Sequence, residues 1–262
     1  MKHLLTLILL VFLSIPQSWA GWKIIINSDN YGEQQTITYT IDKNRLKISN
    51  DQFDFIYDGE DKQITVINKT IKSYYKGSFE DYLSELKHLK EIDSKRVDQI
   101  FPKSYFLRFD EMLKDLMSNN QNNSNRNTPN LKVVNTSDQM RLAEYNATEY
   151  NIFYDTLLVE KLWLSQEVRV SDDIDLLKAI SFFRGIETME LKQGKKLNTQ
   201  AYEQLIYQGF FMKILDYDSY GMEIYKEECM LIQEMEIFIE DSFGIPKAFQ
   251  ERTLIEIIMA NS

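Results

Sequence analysis

The chain has 262 residues, with 40 acidic against 30 basic side chains and a formal net charge of −10 at pH 7. Nucleic acids and anionic lipid surfaces are bound mainly through basic contacts to phosphate, so this charge disfavours both as partners. The single cysteine excludes an internal disulfide, and we therefore expect stability to come from the hydrophobic core.

The first 20 residues have the layout of a secretory signal peptide. Lys2 supplies a positive charge, residues 4–13 are apolar, and the small residues Ser18 and Ala20 occupy the positions that precede a cleavage point. The apolar run is shorter than the about 20 residues that span a bilayer. We expect cleavage after Ala20, no lipid-attachment cysteine, no integral membrane segment after signal removal, and a periplasmic or secreted location.

The stretch from Trp22 to Tyr75 has the alternating pattern of short strands. In "TITYTI" the apolar side chains fall on every second residue, and "RLKIS", "FDFIYD", "QITVIN" and "IKSYY" continue the series. Short polar turn sequences separate these segments. The pattern predicts an antiparallel meander with one apolar, aromatic-rich face.

Helical spacing begins after residue 77. Ser78 is predicted to cap a helix that begins at Phe79, and a second helix is predicted after Pro102. Residues 118–130, "SNNQNNSNRNTPN", contain no apolar side chain. We expect this stretch to be a flexible loop within a single domain that covers residues 21–262.

Further strands are predicted between residues 130 and 168. Ser171 or Asp172 is then expected to cap a helix, and the apolar stretch 199–216 is predicted to be another, largely buried helix. A strand is predicted within residues 220–240, and the tail from Ile245 onward has no clear pattern.

Three pieces of sequence carry a resemblance to a known group of folds. They are "NRLKI" at residues 44–48, the hairpin from Asp58 to Tyr75, and "KLWLS" at residues 161–165. With the order of the elements, they make the chain resemble exported bacterial proteins of unknown function whose fold is akin to the periplasmic lipoprotein carriers of the Lol system. The resemblance implies an α+β fold, in which a curved antiparallel sheet forms an incomplete barrel with helices packed on its concave side. It implies no catalytic residues.

The sequence contains few groups suited to catalysis or metal binding. After signal removal the chain would keep one histidine, His88, and one cysteine, Cys229, which cannot form a tetrahedral metal shell. "NSDNYGE" at residues 27–33 invites comparison with a calcium loop but lacks the closing acid, and "SDDID" at residues 171–175 is better explained as helix capping. We expect His88 to be exposed and Cys229 to be buried, and we expect no catalytic residue, metal or cofactor.

The apolar face of the meander is the best candidate for a binding site. An incomplete barrel can hold an acyl chain or a hydrophobic protein segment against such a face. The residues expected to line it are Ile37, Tyr39, Leu46, Ile48, Phe55, Ile64 and Val66.

The leading hypothesis is therefore a non-enzymatic, carrier-like periplasmic protein for an apolar ligand. The alternative is an envelope interaction module with a filled core, acting through exposed sheet edges or through Trp163 and Tyr150. It would use an envelope protein as its partner and would bind no small molecule.

Overall fold

The computed structural model describes residues 21–100, 131–184, 200–235 and 240–260. Their core is one 12-stranded sheet with the strand order β12-β6-β5-β4-β3-β2-β1-β11-β10-β9-β8-β7. The strands are β1 (Gly21–Asn30), β2 (Glu33–Asp42), β3 (Arg45–Ser49), β4 (Phe53–Asp58), β5 (Gln63–Asn68), β6 (Ser73–Ser78), β7 (Leu131–Leu142), β8 (Tyr145–Tyr154), β9 (Leu157–Ser165), β10 (Phe210–Tyr217), β11 (Glu223–Met235) and β12 (Gln250–Glu251).

Four α-helices accompany the sheet in the described part of the chain. They are α1 (Phe79–Ile100), α2 (Leu176–Arg184), α3 (Gln200–Gln208) and α4 (Leu254–Met259), with short 3-10 turns at Val170–Asp172 and Glu240–Phe243. None of these described helices is long and apolar enough to cross a membrane.

The first six strands form the meander that the alternating pattern predicts. Two-residue turns with positive φ at both positions join β1 to β2 (Tyr31 and Gly32) and β2 to β3 (Lys43 and Asn44). Such turns match the twist of the flanking strands, which is why they are favoured in hairpins. "NSDNYGE" therefore belongs to the β1–β2 hairpin.

The second half of the chain contributes a second antiparallel meander to the same sheet. Strands β7 to β11 follow one another in space, and β11 pairs with β1 from Gly21↔Met235 to Asn30↔Tyr225. This pairing joins the two meanders, so the sheet is continuous across both. The short β12 is the exception to the antiparallel pattern, because it runs parallel to β6.

The segment before α2 is tied to the first meander. The Trp22 indole donates a hydrogen bond of 2.6 Å to the Asp173 carboxylate, and the Asn44 backbone N–H donates one of 2.7 Å to the Asp173 carbonyl. These bonds hold the start of α2 beside the turn between β2 and β3. They bring a helix from the second half of the chain onto a face made by the first half.

The structure corrects two helix predictions. Residues 199–216 are not one helix: α3 ends at Gln208, and β10 begins at Phe210. Neither Ser171 nor Asp172 caps α2, since both lie in the 3-10 turn and the Lys178 backbone N–H donates instead to the Asp175 carboxylate. The cause of the first error is the position of β10 between β9 and β11, which buries apolar side chains on both of its faces.

Other predictions are confirmed or lie outside the described residues. Ser78 caps α1, since its hydroxyl oxygen accepts a hydrogen bond of 3.1 Å from the Asp81 backbone N–H. The tail after Ile245 forms β12 and α4. The signal peptide, the helix after Pro102 and the asparagine-rich loop at 118–130 lie outside the described residues.

The fold is thus a large, mostly antiparallel, curved open sheet with few helices. Helices α1 and α2 contact one face of the first meander through aromatic side chains. Coverage of the whole concave side by helices stays a prediction, because the four described helices are few for a sheet of 12 strands.

Candidate functional site

The seven predicted lining residues come together on one face of the first meander. Strand register places Tyr39, Ile48, Phe55 and Val66 in one row across β2 to β5. Leu46 and Ile64 stand in the next row, on either side of Tyr57, and Ile37 lies two residues before Tyr39 on the same face of β2. We call this surface the aromatic face; its seven predicted residues are Ile37, Tyr39, Leu46, Ile48, Phe55, Ile64 and Val66.

The aromatic face is covered. Its seven predicted residues are each exposed by 1% or less. Phe79 and Phe182 are among the side chains that lie over it, with ring centroids 4.9 and 5.4 Å from that of Tyr57. At the outer end of the meander, α4 buries Leu254, Ile257 and Ile258, and the Asn68 side chain donates a hydrogen bond to the Ile257 carbonyl.

Phe182 is the centre of the aromatic cover. Its ring centroid lies 4.2 Å from that of Phe79, 5.7 Å from that of Tyr82 and 5.4 Å from that of Phe183. Phe182 and Phe183 are only half-buried, although they contact fully buried rings. Part of the cover is therefore accessible to solvent where α2 meets the face.

Buried tyrosine hydroxyl groups lie under this cover. The hydroxyls of Tyr57 and Tyr82 are buried and make no hydrogen bond within the described part of the chain. Burial raises the pKa of Tyr57 to about 12, and the carboxylates of Asp175 and Asp58 add to the shift. Burial likewise raises the pKa of Tyr82, with a smaller effect from Tyr75. Both hydroxyls keep their protons at neutral pH and can donate a hydrogen bond.

A separate polar cleft of about 630 Å³ opens where the β1–β2 hairpin, the β3–β4 turn and β11 meet. Its lining is dominated by amide, carboxylate and other polar side chains. The residues are Asn27, Ser28, Asp29, Gln34, Gln35, Thr36, Asn50, Asp51, Gln52, Lys226, Glu228 and Met230. None of the seven predicted residues belongs to it.

The groups considered for catalysis lie in unremarkable surroundings. Cys229 is buried, and burial raises the pKa of its thiol, with the carboxylates of Glu227 and Glu228 adding to the effect, so the reactive thiolate is disfavoured. The side chain of His88 is 71% exposed. Within the described ranges, no group of three or more acidic, histidine or cysteine side chains is arranged to hold a metal ion.

Trp163 and Tyr150 do not form a surface for a partner. They are 8% and 7% exposed, and the Lys213 ammonium lies 5.2 Å from the centroid of the Trp163 ring. This ammonium also pairs with Glu228 at 3.3 Å. Both aromatic residues are part of the core, so the prediction that an interaction module could act through Trp163 and Tyr150 is wrong.

Sequence reasoning missed several residues that shape these sites. Tyr57 lies on the predicted face but is absent from the predicted lining set, although its place in the alternation of "FDFIYD" could have indicated it. Phe182 contacts the face from a distant part of the chain, which no local pattern reveals. The polar cleft depends on strand register and turn position, which no stretch of sequence shows by itself.

The comparison with known proteins found similarity to solved structures. No protein-family model matches the sequence, and neither does any curated protein. An uncharacterized conserved protein from Thermus thermophilus has a TM-score of 0.43 at 6% identity, with 94% of this chain and 98% of that chain covered. MucB in complex with MucA(peri) has a TM-score of 0.41 at 10% identity, and this chain covers 61% of the MucB chain.

A third structure belongs to the class that the sequence resemblance indicates. It is a putative outer membrane lipoprotein-sorting protein domain from Vibrio parahaemolyticus, with a TM-score of 0.29 at 8% identity, covering 86% of this chain and 90% of that one. The predicted resemblance to the lipoprotein-carrier fold is confirmed as a resemblance.

Proposed function

We propose that the chain is an exported, non-enzymatic binding protein that holds an apolar ligand with a polar end against the aromatic face. The observation that carries the proposal is the pair of buried, protonated hydroxyls of Tyr57 and Tyr82, which have no hydrogen-bond partner in the described chain. A buried polar group without a partner costs about 1–3 kcal/mol, and a ligand that accepts its hydrogen bond removes that cost. The surrounding rings and aliphatic side chains would contact the apolar part of the ligand.

The ligand would have to displace part of the cover, because the face is closed by protein. Helix α2 is the element most suited to move, since Phe182 and Phe183 are half-buried and the helix has only nine residues. Moving a short helix exposes less apolar surface than opening the sheet would. A fatty acid or the acyl part of a lipid has the required chemistry: an apolar chain and an oxygen-rich end that accepts hydrogen bonds.

Two measurements test this function. Native mass spectrometry of the protein purified from the periplasm of its source is expected to show a co-purifying lipid, and a fluorescent C16 fatty acid is expected to bind. Replacing Tyr57 by Phe should weaken binding of the probe about threefold to tenfold, the effect of losing one hydrogen bond. Tyr74→Phe, which removes an exposed hydroxyl from a half-buried tyrosine on β6, is the matched control and should leave the affinity unchanged.

The alternative, an interaction module with a filled core, is favoured by the complete burial of the seven predicted residues. It predicts that no lipid co-purifies and that the fluorescent fatty acid does not bind. Both negative results together would reject the carrier proposal in favour of this one.

A further inference from the structure

Strand β3 is shorter than β2, so part of the edge of β2 has no β3 residue beside it. We call this gap beside residues 34–37 the notch. Strand β2 pairs with β1 from Trp22↔Ile41 to Asn30↔Glu33, whereas its pairing with β3 stops at Thr38↔Ser49. Residues 34–37 therefore have a strand neighbour on the β1 side only, within the described chain. Because backbone groups of a strand point alternately to its two neighbours, about half of the N–H and C=O groups in this stretch face the notch.

The notch opens into the polar cleft. Gln34, Gln35 and Thr36 line the cleft as well as forming the free edge. Opposite them stands the β3–β4 turn, which is held in place because the Asn50 side-chain oxygen accepts hydrogen bonds from the backbone N–H groups of Gln52 and Phe53 at 3.0 and 2.7 Å. The volume of about 630 Å³ lies within the range of about 300–1,000 Å³ that is common for binding pockets.

A donor without a partner also lies in the cleft. The Gln35 side-chain Nε2 is buried and makes no hydrogen bond within the described residues. It stands beside the free edge of its own strand. A ligand that offers carbonyl oxygens at this place would satisfy both the backbone N–H groups and this amide.

Charge limits the kind of ligand. Glu228 is neutralised by the ammonium groups of Lys226 at 3.0 Å and Lys213 at 3.3 Å, whereas Asp29 and Asp51 have no ion pair in the described chain. The remaining charge of the cleft is therefore negative. It disfavours phosphorylated or acidic ligands and favours neutral or basic ones.

We propose that this cleft binds an extended polypeptide segment with neutral or basic side chains, which adds as a strand to residues 34–37 of β2. The segment would continue the line of β3 beyond Ser49, where the chain turns away into β4. Strand addition uses main-chain hydrogen bonds for affinity, and the amide and carboxylate side chains of the cleft select the partner. The proposal involves a different surface from the aromatic face and does not depend on the apolar ligand.

The probe is a fluorescein-labelled octapeptide of alternating Thr and Lys, measured by anisotropy with the purified protein. We expect this peptide to bind and an alternating Thr and Glu peptide of the same length to bind at least tenfold more weakly. Two further peptides carry N-methyl groups on either the odd or the even amides. One of them should lose about tenfold in affinity, because it loses hydrogen bonds to the edge of β2, and the other should stay within about threefold.

Protein variants locate the binding surface. Asp51→Lys reverses a charge at the cleft and should weaken binding of the Thr-Lys peptide at least fivefold. Asp61→Lys reverses another exposed charge, in the β4–β5 turn and outside the cleft, and should leave the affinity within twofold. Backbone amides among residues 34–37 should exchange hydrogen more slowly when the peptide is bound.

Two results would overturn the proposal. Equal affinity of the two methylated peptides would exclude strand addition. Binding of a neutral sugar probe such as chitohexaose, with no binding of any of the peptides, would show that the cleft recognises polyhydroxylated ligands instead.

Discussion

Replacing Tyr57 by Phe gives a direct test of the chemistry under the cover of the aromatic face. Most substitutions of buried residues lower stability, but this one removes only a hydroxyl that has no hydrogen-bond partner in the described chain. The ring itself would stay, with its stacking on Phe79 at 4.9 Å and its contact with Phe182 at 5.4 Å. We therefore expect the variant to be at least as stable as the original protein.

The size of the effect follows from the cost of an unpaired buried hydroxyl. That cost is about 1–3 kcal/mol, and filling the small space left by the oxygen takes back part of the gain. A net gain of about 1 kcal/mol in the free energy of unfolding is expected, which corresponds to a rise in Tm of about 2–4 °C for a domain of this size. Urea unfolding followed by circular dichroism measures the first quantity, and thermal unfolding measures the second.

The control is again Tyr74→Phe. The Tyr74 hydroxyl is exposed and donates a hydrogen bond of 3.2 Å to Glu251, so its removal should change stability by less than about 0.5 kcal/mol. A loss of more than about 1 kcal/mol in Tyr57→Phe would refute the reasoning, because it would mean that this hydroxyl is hydrogen-bonded in the free protein. The hydroxyl would then no longer point to a ligand.

Two further predictions concern the sheet. Burial raises the pKa of Asp54, but the ammonium groups of Lys47 at 2.9 Å and Lys69 at 3.0 Å outweigh it, so the pKa lies below its usual value. The stability from this carboxylate is therefore present above about pH 4 and is lost as pH falls through the pKa of the folded state. Asp54→Asn should lower the free energy of unfolding in urea by about 1–3 kcal/mol at pH 7, and the variant should lose less further stability towards pH 3 than the original protein. If the substitution lowered the free energy of unfolding equally at pH 7 and at pH 3, the result would contradict this prediction. Gly209→Ala should lower the free energy of unfolding by about 2 kcal/mol or more in the same assay, because its Cβ would lie 2.1 Å from the Ser165 carbonyl oxygen. The control is Gly32→Ala, which has open space around it and a φ of +88°, and which should lose only about 1–2 kcal/mol because alanine disfavours a left-handed conformation. Equal losses in the two variants would show that the close contact at Gly209 can relax.

Strands β2 and β3 of the first meander could be predicted from the sequence because one of their faces is buried while the other is more open. Strand β2 shows this, with Ile37, Tyr39 and Ile41 buried and Thr38 and Thr40 partly exposed between them. Alternation of this kind is the direct result of the two-residue period of a strand. It is enough to place all seven predicted residues on one surface, although it cannot tell whether that surface is open.

The alternation fails where both faces of a strand are buried. In β10, Phe211 and Met212 are adjacent and are 7% and 0% exposed. A continuous apolar run of this kind has no period that separates a strand from a buried helix. The pattern therefore predicts a helix here, and only the pairing with β9 and β11 makes the stretch a strand.

The polar cleft is beyond local sequence reasoning for a different reason. It arises because β2 has ten residues and β3 has five, and because the turn at 50–52 stands beside the part of β2 that β3 does not reach. Each strand has an ordinary pattern, and only the offset between them creates the notch. The residues that line it come from four separate stretches of the chain, none of which has a motif.

The two outer edges of the sheet support the interpretation of the notch, because both are protected. On the β6 side, β12 pairs with Ser73 and Tyr74, and a capping box between Thr253 and Glu256 anchors the helix that follows. On the β7 side, the pairing shifts between Asn135 and Gln139, which interrupts a long edge strand. Bulges and short covering strands are the devices by which proteins prevent unwanted pairing at sheet edges.

The free stretch of β2 has neither device, and it faces a cleft that already offers polar side chains to an incoming strand. The outer edges each carry such a device, whereas this edge is left without one inside a polar cleft, and this contrast supports the proposal that a partner strand binds there.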